Sequence, residues 1–146
     1  MENIWSLLCT KAIVDERTKL VSLIETMDVI DVEGELPEVD PKNPVAIGPT
    51  SICIASFWYR SDIEKSEKSK CRHTLVGPDG QRFEQQEVEV NLENSISHHV
   101  LVFVPTLHYV GLGRYNMLVE KMDKGEESWS FVRRLPLLLR TKTKKL

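Results

Sequence analysis

Hydrophobic and polar residues alternate with a period of two along most of this chain of 146 residues. The pattern is clearest where Val88, Val90 and Leu92 alternate with acidic or amide side chains. Successive side chains of a β-strand point to opposite faces, so this period is typical of half-buried strands. The sequence therefore predicts an all-β fold with little helix.

Two apolar segments at the start of the chain flank a polar one. Residues 4–14 are rich in β-forming side chains, residues 15–19 read Asp-Glu-Arg-Thr-Lys, and residues 20–30 are again apolar. Two such runs separated by a short polar turn predict a β-hairpin. A helix over residues 20–30 is the alternative, because its apolar residues also fit helical spacing.

Two further segments are apolar on both faces. Residues 51–60 (SICIASFWYR) and 96–105 (ISHHVLVFVP) keep apolar side chains at odd and even positions alike. Strands buried on both faces have this composition, so both segments are predicted to be central strands. Residues 61–70 are highly charged and predict a loop or one exposed helical turn.

Residues 77–80 read Gly-Pro-Asp-Gly, a sequence typical of turns. Proline presets φ at the first turn position, aspartate suits the second, and glycine follows where φ is commonly positive. A phosphate-binding loop needs a helix after its glycines, whereas residues 81–92 alternate as a strand, so a hairpin turn is predicted. Phe83 is out of phase with Val88, and burying both requires a bulge near residues 85–86.

Prolines mark two irregular places. Residues 33–50 contain four prolines and two glycines, which predict a long surface connection. Pro136 interrupts the last apolar segment, and a sheet tolerates proline at edges or bulges. The last strand is therefore predicted to lie at an edge or to change sheet at Pro136.

These patterns add up to about eight strands joined by turns. Strands joined by short turns pair antiparallel, and two such sheets bury their alternating residues face to face. We therefore expect an antiparallel two-sheet β-sandwich. Residues 1–140 form this single domain and residues 141–146 a basic C-terminal tail.

Composition argues against several classes of function. The formal net charge is −3, whereas nucleic-acid-binding domains usually carry a basic excess. Three cysteines, none in a Cys-x-x-Cys pair, indicate buried thiols in a reducing compartment. The first residues lack the basic segment of a signal peptide, and no apolar stretch approaches the roughly 18 residues of a membrane helix. We expect a cytoplasmic protein without nucleic-acid or membrane partners.

The sequence contains no recognisable catalytic constellation. His98 and His99 are adjacent, so on a strand they point to opposite faces and do not share a metal ion without distortion. A Gly-x-Ser-x-Gly nucleophile motif does not occur. Acidic residues are concentrated at positions 25–40, where a solvated loop explains them. We expect a non-enzymatic protein with no metal and no cofactor.

Residues 113–115, Gly-Arg-Tyr, resemble the tyrosine corner of immunoglobulin-like sandwiches, where a tyrosine hydroxyl bonds nearby main chain. The order of features is more specific: CTKAIVDERTKLVSLIETMDVI, a hairpin around GPDG, GLGRYNMLVE, a Lys-Gly-Glu turn and a closing RLPLLL. This order is similar to that of a family of small bacterial cytoplasmic β-sandwich proteins of unknown function. The resemblance covers residues 5–140 and implies an immunoglobulin-like fold but no activity.

The last strand supplies the main functional prediction. If Pro136 marks an edge, the leucines that follow it expose an apolar face, which is typical of interfaces. The predicted interface residues are Trp129, Phe131, Leu137 and Leu139. The protein is therefore predicted to be an interaction or assembly module that binds a protein partner or a second copy, with residues 33–50 as a further contact surface.

A binding site for a small molecule or carbohydrate, with or without hydrolysis, is the alternative. Exposed tryptophan and tyrosine rings, which combine an apolar body with a polar tip, form platforms for sugars. The residues predicted for this site are Trp58, Tyr59, His108 and Tyr109.

Overall fold

The computed structural model describes residues 1–40 and 42–142, and of Glu84 and Gln85 it describes only the main chain. The described residues form eleven strands and no helix. In chain order these are β1 (Glu2–Val14), β2 (Val21–Thr26), β3 (Val29–Val32), β4 (Val45–Ile47), β5 (Ile52–Tyr59), β6 (Glu67–Val76), β7 (Arg82–Leu92), β8 (Ser97–Val104), β9 (Leu107–Tyr109), β10 (Gly113–Asp123) and β11 (Ser130–Thr141).

The strands form two large sheets and one small ribbon. The four-stranded sheet has the order β2-β1-β5-β8, and the five-stranded sheet has the order β3-β11-β10-β6-β7. The ribbon pairs β4 with β9. The predicted all-β, sandwich-like fold is confirmed, but with eleven strands rather than about eight. The pairing of β3 with β11 is parallel, which the fully antiparallel prediction missed.

The two large sheets enclose one hydrophobic core. Ile54 and Trp58 enter it from the four-stranded sheet, and Leu75, Tyr115 and Leu137 enter it from the five-stranded sheet. All five are fully buried. Burying a large apolar side chain contributes roughly 1.5–3 kcal/mol, so this layer is the main source of stability. The alternation in the sequence reflects it, because one residue in two points into this layer.

The predicted opening hairpin is confirmed. Strand β2 pairs antiparallel with β1, and the polar turn between them is held by the Asp15 carboxylate, which accepts from the amides of Arg17 (3.0 Å) and Thr18 (2.6 Å). The alternative helix over residues 20–30 is wrong. After β2 the chain crosses to the other sheet, where β3 pairs with the last strand.

The turn at residues 77–80 and the bulge after it are also confirmed. Gly77 donates to the Gln81 carbonyl at 2.9 Å, and Gly80 adopts φ 85°. His73 pairs with Gln86 but Thr74 pairs with Glu84, so one residue of β7 is unpaired. The extra residue brings Phe83 and Val88 to the same face of β7, and both pack against the core.

Two of the predicted loops are more structured than expected. Strand β6 begins at Glu67, so the second half of the charged segment 61–70 is part of a sheet. In the 33–50 connection, Leu36 and Val39 pack against the core and β4 joins the ribbon. Pro41 of this connection lies outside the described residues.

The edge prediction for β11 holds only in part. The amide of Leu138 donates to the Asp28 carbonyl at 2.7 Å, on the side where β3 pairs from Leu138 onward. Pro136, two residues earlier, turns its nitrogen to the same side, before β3 begins. The proline is therefore tolerated where that side of β11 is open, but β3 closes this edge from Leu138 onward.

The basic end of the chain pairs with acidic residues of the same chain. Arg140 lies 2.7 Å from Asp31, and Lys142 lies 2.5 Å from Glu33. These exposed pairs contribute little to stability, but they lie beside the parallel pairing of β3 with β11. Residues 143–146 of the predicted tail lie outside the described residues.

Tyr115 has the geometry of a tyrosine corner. Its hydroxyl accepts a hydrogen bond from the Val110 amide at 3.0 Å and donates one to the Gly111 carbonyl at 2.7 Å. The ring is fully buried, and burial raises the pKa of the hydroxyl, so it is protonated and able to donate. The corner fixes the approach of the chain to β10.

Tyr115→Phe is expected to lower the free energy of unfolding by about 1–3 kcal/mol, because the buried Val110 amide loses its acceptor. Urea unfolding measures this loss. Tyr59→Phe, at a half-buried tyrosine of β5, is the control and is expected to change stability by less than about 0.5 kcal/mol. Equal losses in the two variants would contradict a special role for the Tyr115 hydroxyl.

Candidate protein-interaction surface

Two of the four residues predicted to form the closing interface lie in the core. Leu137 is 0% exposed and Leu139 is 1% exposed. Both point between the sheets, because alternation along β11 turns every second residue inward and β3 covers the end of the strand. The predicted exposure of these leucines is therefore wrong.

The other two residues lie on the outer side of the five-stranded sheet. Trp129 precedes β11 and is half-buried, with the Arg72 guanidinium 4.3 Å from its ring centroid. Phe131, in β11, is 62% exposed. An interface role for Trp129 and Phe131 stays a prediction.

This outer side is dominated by paired charges. Glu120 is nearly buried and accepts hydrogen bonds from Arg72 (3.0 Å), Arg82 (2.8 Å) and Thr74 (3.0 Å). Burial alone raises the pKa of the Glu120 carboxyl, but these hydrogen bonds and the charge of Arg72 outweigh it and lower the pKa. Glu120 is therefore ionised and fully engaged by its neighbours, which indicates a structural role.

The residues of the alternative ligand site are not brought together. Trp58 is fully buried and Tyr109 is 3% exposed, so neither offers a platform. Trp58 and Tyr59 lie at the end of β5 opposite His98 and Ser97, whereas β9 follows the far end of β8. His108 stacks on Phe83 at 5.0 Å instead. The predicted sugar platform is wrong for Trp58 and Tyr109, because core packing uses both rings.

The buried thiols and imidazole also lack the properties of a catalytic site. Cys71 lies 3.8 Å from the imidazole of His73, but both are fully buried in the core. Burial raises the pKa of Cys71 to about 12 and lowers that of His73 to about 4. Both groups are therefore neutral at pH 7, the opposite of an activated thiolate–imidazolium pair. Among the described residues, no three metal-binding side chains converge on one point.

A polar cleft of about 390 Å³ lies at one end of the five-stranded sheet. Part of its charged lining is paired: Asp123 accepts from Lys121 at 2.8 Å and from the Ser69 hydroxyl, and Lys68 lies 3.0 Å from Glu89. These pairs account for much of the polar character of the cleft.

A different surface lies on the outer side of the four-stranded sheet. We call it the aromatic face. It consists of the outward side chains of β1, β5 and β8, namely Trp5, Leu7, Phe57, Tyr59, His99, Leu101 and Phe103. Most are half-buried, and Phe103 is 59% exposed.

The rings of the aromatic face contact one another around Phe57. Its ring centroid lies 4.5 Å from that of His99, 6.0 Å from that of Trp5 and 6.5 Å from that of Tyr59. These distances are typical of stacked and edge-to-face aromatic pairs. Burial, and secondarily the charge of His98, lower the pKa of His99. The rings therefore form one continuous, uncharged layer at neutral pH.

Beneath these rings is a second small hydrophobic cluster. Cys9, Cys53 and Ala55 are fully buried there, although they point away from the main core. Burial, followed by the neighbouring Cys9, raises the pKa of Cys53 to about 12, so this thiol is protonated. The side chains packed over the cluster come from β1, β2 and β8 of the same sheet. Among the described residues, no second layer covers it.

The two outer sides of the molecule differ in charge. Strands β5 and β8 contain no Asp, Glu, Lys or Arg, and the part of β1 that pairs with β5 carries one charged residue, Glu2, at its end opposite Tyr59. On the five-stranded sheet, by contrast, Lys70 pairs with Glu87 and Arg72 with Glu120. A sheet that faces water normally carries polar side chains on that side. The aromatic face has few of them, Tyr59 and His99 among them, and its charged residue Glu2 lies at one end. Its composition is therefore closer to that of a covered surface.

The sequence contained a signal for this face that the prediction did not use. Residues 51–60 and 96–105 were interpreted as central strands because both their faces are apolar. Strand β5 is central, but β8 lies at the edge of its sheet. Two packed sheets bury only one face of each, and among the described residues no helix covers the second face. Doubly apolar strands in such a two-layer fold therefore leave one apolar side facing outward.

Comparisons with known proteins do not assign the chain to a family. No protein-family model matches the sequence, and no match to a curated protein was found. The resemblance to bacterial β-sandwich proteins therefore stays a prediction. Within the part of the chain that the structure describes, no helix is long and apolar enough to cross a membrane.

Proposed function

We propose that the protein is a non-enzymatic interaction module that docks a partner protein on the aromatic face. The observation that carries the proposal is the second hydrophobic cluster of Cys9, Cys53 and Ala55. These residues are fully buried on the outside of a sheet by side chains of that sheet alone. The side chains packed over this cluster are only partly buried, so a partner that covers them removes further apolar area from water.

The size of the aromatic face fits a protein partner. Three strands about 4.8 Å apart, with about seven residues each at 3.3 Å, span a projected area of roughly 330 Å². The largest apolar patch on a typical monomer covers about 300–600 Å² and is often functional. Small-molecule sites are instead concave and enclose their ligand. A flat sheet surface suits the flat apolar surface of another protein.

The chemistry of the aromatic face defines the partner further. Aromatic side chains are enriched and charged residues are depleted at the centres of protein interfaces. Phe57, Trp5 and His99 form the centre here, and they offer apolar contact without fixed charge. The partner is therefore expected to present apolar or aromatic side chains rather than an acidic or basic patch.

The immunoglobulin-like class, the bacterial family and a cytoplasmic location belong to the same proposal. The hydroxyl of Tyr115, with its bonds to Val110 and Gly111, supports the immunoglobulin-like class. Small β-sandwiches of this kind commonly serve recognition, with one sheet or one set of loops as the contact surface.

Phe57→Lys is expected to abolish the complex with the partner, because it places a charge at the centre of an apolar contact. Phe131→Lys is the matched control: it makes the same change on the outer side of the other sheet and is expected to leave the complex intact. Native mass spectrometry of each variant, tagged at its own locus and isolated from its own host, measures the complex. Urea unfolding of each variant confirms that it is folded.

Loss of the complex in the Phe131 variant alone would contradict the proposal and favour the closing strand. A wild-type protein that is isolated without any partner would also contradict it.

A further inference from the structure

Strand β8 is an unusual sheet edge. Among the described residues it has one hydrogen-bonded neighbouring strand, β5, so its other side is a free edge of the four-stranded sheet. Its eight residues, SHHVLVFV, include no Asp, Glu, Lys, Arg or Pro. Natural proteins protect exposed edges with charge, proline, bulges or short length, because an open edge pairs with other chains. Strand β8 has none of these protections.

The other three edges of the two large sheets are protected. Strand β2 has six residues, and Glu25 in it adopts a positive φ of 51°. Strand β3 has four residues, one of them Asp31. Strand β7 is long, but it is bulged and carries Glu87 and Glu89. The lack of protection is therefore specific to β8.

The direction of the main-chain groups identifies which residues are available at the edge. Arg60 donates a hydrogen bond of 2.9 Å to the carbonyl of Ile96, next to β8. The same alternation continues along the ladder, in which Trp58 lies opposite His98. In an antiparallel ladder alternate residues face the neighbour, so the even-numbered residues of β8 face β5. The residues that face the free edge are Ser97, His99, Leu101 and Phe103.

We propose that β8 pairs antiparallel with β8 of a second copy of this chain. Residues that face the edge must lie opposite each other, and the two strands overlap most fully in two symmetric registers of this kind, centred on Val100 or on Leu101. With the centre at Leu101, His99 lies opposite the second copy's Phe103. Both registers join unpaired amides to unpaired carbonyls. Neither brings like charges together, because β8 has no Asp, Glu, Lys or Arg and its two histidines lie opposite apolar residues in both registers.

This pairing has a consequence for the aromatic face. Residues directly opposite in an antiparallel pair project from the same side of the sheet. His99, Leu101 and Phe103 therefore remain on one side in both copies. The two four-stranded sheets become one sheet of eight strands, and the two aromatic faces become one continuous surface. The edge pairing itself does not depend on what docks on that surface.

Phe103→Pro tests the pairing. The Phe103 amide faces the free edge, so proline removes a hydrogen bond to the second copy and none to β5. Phe103→Val is the matched control, because it removes the same ring and keeps the amide. Sedimentation over a dilution series is expected to show a wild-type dimer, a similar dimer for Phe103→Val, and a dissociation constant raised by about tenfold or more for Phe103→Pro.

Hydrogen exchange of the wild-type protein is a second test that does not depend on the proline variant folding. The amides of His99, Leu101 and Phe103 are expected to exchange slowly at high concentration and quickly on dilution. A wild-type chain that is monomeric at the highest reachable concentration would overturn the proposal. Equal dimerisation of the Pro and Val variants, or a complex containing only another protein at this edge, would do the same. Phe57→Lys leaves the edge intact, so it tests docking on the aromatic face separately.

Discussion

Leu137→Glu is expected to unfold the protein, whereas Leu138→Glu is expected to leave it folded. Leu137 is fully buried between the sheets, opposite Tyr115 in the ladder, and Leu138 is half-buried on the outer side. Losing a buried leucine costs about 2–5 kcal/mol, and burying an unpaired carboxyl group adds about 1–3 kcal/mol even when it is neutral. The sum is comparable to the whole stability of a domain, about 5–15 kcal/mol.

Near-UV circular dichroism and urea unfolding of both variants measure this difference. The pair of adjacent residues controls for position in the strand and for the added charge. A folded Leu137→Glu variant that had lost its association would contradict the core assignment and restore the closing-edge interface.

His73 is expected to make the protein lose stability as the pH falls from about 7 to about 5, by about 2 kcal/mol. Its ring is fully buried in the core. Burial lowers the pKa of His73 from 6.5 to about 4, against a smaller opposing effect of a main-chain hydrogen bond with Gln86. The unfolded chain therefore takes up a proton at a higher pH than the folded chain does.

The direction of the effect follows from this difference. Above about pH 6.5 neither state binds the proton at this residue, and the full stability is present. As the pH falls from about 6.5 toward about 4, the unfolded state is protonated first, so the free energy of unfolding decreases. Below about pH 4 the folded state is protonated as well, and this residue causes no further loss.

Urea unfolding at about pH 7 and about pH 5 is expected to show this loss in the free energy of unfolding for the wild type. For His73→Gln, whose side chain does not titrate, the loss is expected to be smaller by about 2 kcal/mol. His98→Gln, at an exposed histidine, is the control and is expected to retain the loss. Equal pH dependence of His73→Gln and the wild type would mean that folding does not lower the pKa of His73, and would contradict this prediction.

Local features of the fold were predictable from the sequence because short-range rules determine them. The Gly-Pro-Asp-Gly turn follows from the φ preferences of its residues. The bulge at Gln85 follows from the phase difference between Phe83 and Val88, and the structure shifts register between Thr74 and His73 as predicted. The opening hairpin follows from two apolar segments around a polar turn.

Strand order was not predictable, because contacts between distant residues determine it. Nothing near Val29 indicates that β3 leaves its hairpin and pairs parallel with β11. This pairing covers the end of β11 and makes Leu139 a core residue. The position of β8 at an edge is likewise set by the whole sheet. A strand with two apolar faces has the same sequence pattern at the edge of a sheet as in its middle. The two cases differ only in what covers the outer face.

The candidate site was predictable only in part, because contacts between distant residues also decide which side chains face outward. The aromatic cluster at residues 57–59 was recognisable, but alternation divides it: Trp58 enters the core while Phe57 and Tyr59 point outward. An interaction module was predicted, but its surface was placed on the closing strand. A two-layer fold without helices leaves one face of each sheet uncovered. We propose the four-stranded sheet as the docking surface because its outer side is the apolar one.

Site-specific photo-crosslinking from the aromatic face tests the central claim most directly. A benzophenone side chain replaces Phe57 in one variant and Phe131 in a second, and each is irradiated in the native host. We expect the Phe57 position to yield a discrete crosslinked product with another protein and the Phe131 position to yield none. A product from Phe131 alone, or no product from Phe57, would contradict the assignment of the aromatic face as the docking surface.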